Sequence, residues 1–343
     1  MSDPLQDHID RLHREAFVID AHFDLPWDVA NQRDRGRRKV VAEQYLPGFR
    51  AGGFDLIVAS IYIENFFLPE MGLRKALDQI GHLLTEAEEA PGIFRICRKI
   101  DESRAAVQKG QLALLLSLEG ADPLQSDPLL LRVFYELGVR VLGLAWSRRN
   151  YAADGCHFGA VDEGQPGGLT AFGVELVRRA EALGMLVDAS HLNEAGFWDL
   201  MQVAQQPVIA SHSNCRTLCD TPRNLTDAQI EALATKGGVM GMNAISSFVG
   251  QGADKLGAEA LLNHLDHVVK LVGIDHVGLG LDFCQGFQNY LSLNKALPSY
   301  DVIAGHAEAK SITAGLIARG YDDASIHKIL GGNFLRVISQ TIG

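Results

Sequence analysis

Phe17-Val-Ile-Asp-Ala-His22-Phe-Asp24 is an apolar run that ends in an imidazole and a carboxylate two residues apart. Residues two apart on a strand face the same side. As a strand, this stretch therefore sets His22 and Asp24 side by side at its C-terminal end, a two-toothed clamp for a metal. Other runs end alike: Leu112-Ala-Leu-Leu-Leu-Ser-Leu-Glu119, Met185-Leu-Val-Asp-Ala-Ser-His191, Pro207-Val-Ile-Ala-Ser-His212, and the run closed by Leu281-Asp282-Phe283. The ligand-type residues fall where the strands stop.

Working outward, apolar runs with β-branched residues predict eight strands: Phe17–Asp24, Asp55–Tyr62, Gln111–Glu119, Arg140–Trp146, Met185–His191, Pro207–His212, Gly238–Ala244 and His276–Phe283. Between them, helical spacing predicts helices such as Leu129–Leu137, Phe172–Leu183, Glu194–Val203, Asp227–Thr235 and Ala258–Val272, with Gly138, Gly184 and Gly273 as terminators. Repeated strand-then-helix units imply a parallel sheet covered by helices. The count of eight selects a (β/α)8 TIM barrel over a doubly wound sheet, and no Gly-rich phosphate fingerprint follows the first strand. Active sites of such barrels lie at the C-terminal ends of the strands, where the candidate ligands fall. The segment from Asn65 to Glu102 is long for one crossover and predicts extra helix. Val302–Gly343 reads as helical C-terminal additions within a single catalytic domain spanning residues 1–343.

Composition narrows the function. A chain of 343 residues, 47% hydrophobic and 21% charged, buries a substantial core, and a net charge of -11 argues against nucleic acid or an anionic membrane as partner. No run approaches the ~18 to 20 apolar residues of a membrane span, and the mixed-charge start lacks a signal-peptide core. The expectation is a cytoplasmic protein. Cys97, Cys156, Cys215, Cys219 and Cys284 are scattered and odd in number, which fits reduced thiols; Cys215 and Cys219 alone are weak support for structural zinc.

Each ligand candidate has an ordinary explanation by itself, a core histidine or a helix-capping acid. Together they come from strands one, three, five, six and eight, all at one end. Three histidines and three carboxylates exceed what one catalytic zinc takes. Two metals about 3.5 to 4 Å apart, with hydroxide between them, fit better. Glu119, at the end of the third strand, is the natural bridge.

His22-Phe-Asp24-Leu-Pro-Trp27, Ser117-Leu-Glu119-Gly120, Asp188-Ala-Ser-His191, Ser211-His212-Ser213, Arg223-Asn224, Gly280-Leu-Asp282-Phe283 and Gly332-Asn333-Phe-Leu-Arg336 resemble the motifs of the membrane (renal-type) dipeptidase family, in the amidohydrolase superfamily. The resemblance covers nearly the whole chain in order. It implies a binuclear zinc peptidase acting on small dipeptides, including those with a C-terminal D-residue, and a homodimer. It further implies that His22 and Asp24 hold one Zn2+, His191 and His212 the other, and Glu119 bridges both. Asp282 would shuttle the proton, and Arg223 would bind the substrate carboxylate.

Two departures from the family pattern stand out. Trp146 occupies the position of a family histidine thought to contact the tetrahedral intermediate, and an indole accepts no proton. Arg148, Arg149 or Asn150 is then the stand-in, or the substrate differs. Asp282-Phe-Cys-Gln-Gly286 replaces Asp-Phe-Asp-Gly and keeps the first aspartate. Competing readings are an amidohydrolase acting on N-acyl amino acids, β-lactams or lactones, and a non-catalytic metal-binding barrel.

Overall fold

The structure is a computed structural model that describes residues 3–159, 161–162, 164–250, 256–287 and 299–343. Its strands are β1 (Ile19–Phe23), β2 (Leu56–Ile61), β3 (Phe94–Ile96), β4 (Leu112–Leu118), β5 (Val139–Gly143), β6 (Leu186–Asp188), β7 (Val208–Ser213), β8 (Val239–Met242) and β9 (Val277–Leu279). They run parallel in the order β1-β2-β4-β5-β6-β7-β8-β9, with β3 paired to β4 off this path. This is the expected (β/α)8 barrel, nearly closed.

All eight expected strands form, each shorter than its apolar run except β7, which keeps six residues and is shifted by one. β3 was not anticipated, because its three residues include the exposed Arg95 and make no apolar run. It lies in the long Asn65–Glu102 segment, together with the helix Gly72–Glu89. The helices Leu129–Leu137, Glu194–Val203, Asp227–Thr235 and Ala258–Val272 have the expected bounds. Their ends have local causes. Asn193 and Thr226 accept the first-turn N–H groups of their helices, while Gly138 and Gly184 end theirs at φ 109° and 71°. No helix of the described residues is long and apolar enough to cross a membrane.

Two apolar layers result from strands buried on both faces. Ile57, Ala59, Ile61, Leu112, Leu114, Leu116 and Leu118 belong to the larger cluster. The intervening Leu56, Val58, Ala113 and Leu115 cluster with Ile19, Ala21, Val141, Leu186, Ile209 and Val239, and with Phe334, Val337 and Ile338 of the helix Asn333–Ile342. One helix meets residues of so many strands only by closing an end of the barrel. The C-terminal addition therefore plugs the floor, opposite the polar mouth.

The barrel wall is tight beneath the site. A Cβ at Gly280 would lie 1.7 Å from the Ser211 carbonyl oxygen, and one at Gly241 2.0 Å from the same atom. Gly280→Ala is expected to destabilise the fold by roughly 3 kcal/mol, measured as a lower urea midpoint at unchanged m-value. An unchanged midpoint would mean that the β7 backbone retreats freely.

Candidate metal centre

Glu119, one residue past β4, sits at the centre of the mouth. Its Oε1 lies 2.9 Å from His191 Nε2, 3.5 Å from His212 Nε2 and 3.7 Å from His22 Nε2. The His191 and His212 Nε2 atoms are 2.9 Å apart, and the His22 and His212 rings stack at 3.5 Å. His22 Nε2 is also 3.6 Å from Asp24 Oδ1 and 3.7 Å from Asp282 Oδ1. Two ligand groups thus share His22: one with Glu119 and His212, the other with Asp24 and Asp282.

The backbone is bent to achieve this convergence. Ile19 and Ala21 point into the barrel, so a regular strand would turn His22 outward; the register shifts between Asp20 and Phe23 and re-aims it. A matching shift between Ala210 and Ser213 surrounds His212. His191 and Asp282 lie beyond their strands, in left-handed conformations at φ 69° and 53°. Non-glycine residues rarely adopt that region, and strained backbone of this kind clusters at functional sites. The expectation that strand alternation alone aims the ligands is corrected here.

Each imidazole is fixed through its far nitrogen by a serine. Ser60 Oγ lies 3.1 Å from His22 Nδ1, Ser147 Oγ 2.8 Å from His191 Nδ1, and Ser211 Oγ 2.7 Å from His212 Nδ1. Ser211 donates its hydroxyl to Asp188 Oδ2, so it accepts from His212 Nδ1–H. His212 Nε2 then presents a lone pair to the centre, the arrangement a metal-binding histidine needs.

The donor set fits a divalent metal. His22 Nε2, Asp24 Oδ1 and Glu119 Oε2 are buried without a hydrogen-bond partner. Asp24 occupies the N-cap position of the helix Leu25–Asp34, yet its side chain does not cap it, so the bland explanation fails for this residue. Burial pushes the Glu119 carboxyl well above its ordinary range, with Asp24 reinforcing and His22 opposing. Burial likewise holds Asp282 up at about 7, against His22. For His22, burial disfavours the charged ring, but Glu119, Asp24 and Asp282 outweigh it and hold the imidazole up at about 10. Burial pushes His191 and His212 well below the usual range, with Arg223 adding at His191 and His22 at His212. Crowded carboxylates facing the neutral imidazoles of His191 and His212 attract a cation.

Arg223 is 3% exposed and is no solvated loop arginine. Its NH1 donates to Ser213 Oγ at 3.0 Å and its NH2 to the His212 carbonyl at 2.6 Å, while buried Nε has no partner. The four residues from Trp146 to Asn150 that were singled out separate in space. Trp146 lies beside the site, its ring 5.8 Å from that of His191. Arg148 is drawn back to Asp122 (3.1 Å) and Asn65 (2.8 Å) and stacks 5.0 Å over Trp146. Arg149 pairs with Asp154 at 2.6 Å and the Gln165 carbonyl. Asn150 binds the Leu144 carbonyl and accepts from Ala152 N–H. Arg149 and Asn150 therefore shape the loop, which removes them as stand-ins for a histidine.

Besides Ser60 and Ser147, two residues that hold the His22 backbone escaped the sequence reading. Asp20 Oδ1 accepts the Leu281 N–H at 2.8 Å and the His22 N–H at 3.3 Å, while Oδ2 accepts from His306 Nε2 at 2.7 Å. His306 is boxed edge-on by Phe23, Phe49, Phe54 and Phe283, with centroids 4.6 to 5.1 Å away. Gly52 admits it: a Cβ there would stand 2.1 Å from the His306 carbonyl oxygen. Asp20 inside an apolar run was the available signal; His306 offered none.

Barrel and site together define a metal-dependent hydrolase. The sequence matches the membrane dipeptidase (peptidase family M19) profile over residues 6–342, and the chain belongs to that family of metal-dependent peptide hydrolases. It is 34% identical over 268 residues to an uncharacterised protein in the pqqA 5′ region of Klebsiella pneumoniae, covering 76% of this chain and 94% of that one. Dipeptidase tcpJ of Claviceps purpurea is 28% identical over 341 residues, 97% of this chain and 76% of that protein. A metallo peptidase from Rhodobacter sphaeroides, liganded with a phosphinate mimic of the dipeptide L-Ala-D-Ala, superposes with a TM-score of 0.82 at 28% identity over 94% of this chain and 99% of that one. The M19 dipeptidase AC superposes at 0.83 with 30% identity, over 95% and 98%.

His306→Ala removes the donor to the carboxylate that holds the His22 backbone. Metal retention, measured by dialysis against a graded chelator, is expected to weaken by about tenfold, with His306→Gln retaining most of it. Unchanged retention in a protein that is merely less stable would confine the pair to closing the barrel.

Proposed function

We propose that the protein is a dipeptidase that uses two zinc ions and accepts dipeptides with a C-terminal D-residue. The observation that carries this reading is the convergence of three imidazole Nε2 atoms on one oxygen of Glu119, with a buried arginine alongside. The phosphinate mimic of L-Ala-D-Ala bound by the Rhodobacter sphaeroides relative supports the D-residue. His22 and Asp24 would hold one ion, His191 and His212 the other, and Glu119 would serve both through its two oxygens. Such a pair supplies Lewis acidity at the peptide carbonyl and makes water a nucleophile at neutral pH.

The chain's own groups do the rest. Asn243 Nδ2 anchors Asp282 Oδ2 at 2.7 Å, leaving Oδ1 turned toward the His22 side of the site. Asp282 Oδ1 takes the proton of the attacking water and returns it to the departing amine. Arg223, held rigid by Ser213 and the His212 carbonyl, positions the free carboxylate with its remaining N–H groups. Anchoring the substrate at one end and its carbonyl at the centre turns the hydrolysis into a reaction between pre-placed groups.

Asp282→Asn keeps shape but not proton acceptance. Elemental analysis of that variant should still show two zinc ions per chain, while kcat falls by ~10² to 10⁴. Saturation of the wild type at one ion per chain would remove the bridge, and a near-normal kcat would remove Asp282 from proton transfer. Arg223→Met should lower kcat/KM for free-acid dipeptides by about one to two orders of magnitude and barely affect their C-terminal amides. Equal losses on both would place Arg223 in the scaffold.

A further inference from the structure

Four aromatic rings run in contact across one side of the mouth. Phe248 lies 5.8 Å from the Arg223 guanidinium and stacks on Phe158 at 5.9 Å. Phe158 meets Trp146 edge-on at 5.4 Å, and Trp146 meets Tyr62 at 5.1 Å. They come from the ends of β2, β5 and β8, and the row passes over the His191 ring, 5.8 Å from Trp146 and 6.5 Å from Phe158. Phe158 remains 45% exposed despite its three ring contacts and Trp146 is half-buried, with Tyr62 and Phe248 buried at the two ends of the row. Apolar surface gathered in one place beside a polar centre marks a binding surface.

The wall is rigid. Arg148 stacks over Trp146 at 5.0 Å and lies 5.8 Å from Tyr62, while Asp122 and Asn65 hold its guanidinium. Trp146 is thus clamped before a ligand arrives, and little rotamer freedom remains to be lost on binding. Each residue that could stand in for the histidine is committed elsewhere: Arg148 to Asp122 and Asn65, Arg149 to Asp154 and Asn150 to the Leu144 carbonyl. The position is a hydrophobic surface.

Direction follows from the ends of the row. Phe248 is beside Arg223, and Tyr62 and Trp146 are at the far end. A dipeptide with its carboxylate on Arg223 and its carbonyl at Glu119 and the histidines lays its amino-terminal residue toward that far end. Resting on the dipeptidase reading above, we infer that Trp146 and Tyr62 form the pocket wall for the amino-terminal side chain and select dipeptides whose first residue is large and apolar.

The test holds the second residue constant. Zinc-loaded wild type is assayed with Phe-D-Ala, Leu-D-Ala, Gly-D-Ala and Asp-D-Ala, and with the reversed pair Phe-Gly and Gly-Phe. The ratio of kcat/KM for Phe-D-Ala over Gly-D-Ala should be about tenfold or more, and Phe-Gly should be preferred to Gly-Phe. Trp146→Ala should bring the first ratio close to unity, and Trp146→Phe should keep most of it. Taking ratios on one protein sample cancels any general loss of activity, and the wild-type ratios stand even if a variant fails to fold. A flat wild-type ratio, a preference carried by the second residue, or a ratio unchanged in Trp146→Ala would overturn the inference and leave the dipeptidase reading standing. Turnover of N-acyl amino acids with no turnover of any dipeptide would overturn both.

Discussion

A carboxylate buried at the mouth of a barrel cannot remain charged unless something positive meets it, and the structure is organised around that constraint at Glu119. Three imidazole nitrogens are brought to one of its oxygens, and two more carboxylates crowd beside them. Protons alone leave His22 Nε2, Asp24 Oδ1 and Glu119 Oε2 without partners. The irregularities in β1 and β7 and the left-handed backbone at His191 and Asp282 raise the energy of the fold locally. All four serve the same convergence, so a cation bound at this point offsets a cost that the protein scaffold otherwise carries.

Much of this was legible in the sequence because the strands are buried on both faces. Such strands read as unbroken apolar runs, and a histidine or acid closing one stands out against them. The helix bounds were readable for a local reason: Thr226 and Asn193 at the starts and Gly138 and Gly184 at the ends act through neighbours in sequence. Register shifts left no such trace, since period two would have turned His22 outward and nothing in its neighbours signals the correction. β3 was too short and too polar to read. The arginines after Trp146 looked alike in sequence, and only Asp122 and Asp154 distinguish what each one does. Arg223 was assigned by resemblance; its burial, which separates it from an ordinary loop arginine, is a tertiary fact.

The barrel divides its labour along its axis. Apolar side chains of the inner layer and the helix Asn333–Ile342 fill the floor, while serines on β2 and β7 and in the loop after β5 carry the orientation of the imidazoles above it. The serines are small enough to sit behind a ring and polar enough to fix its tautomer. Above them the aromatic row replaces polar contacts with surface. Chemistry and selectivity are thus set by different layers of one wall.

Among the described residues no hydrogen-bonded ladder joins β9 to β1; the seam is crossed by Asp282 N–H to the His22 carbonyl and by the bonds of Asp20 to Leu281 and His306. The partners in the last of these are 286 residues apart. During vectorial synthesis His22 and Asp24 leave the ribosome before Leu281 and His306, whose contacts with Asp20 fix their backbone. The clamp at the end of β1 can therefore be completed only once every strand between Asp20 and His306 in sequence has been synthesised.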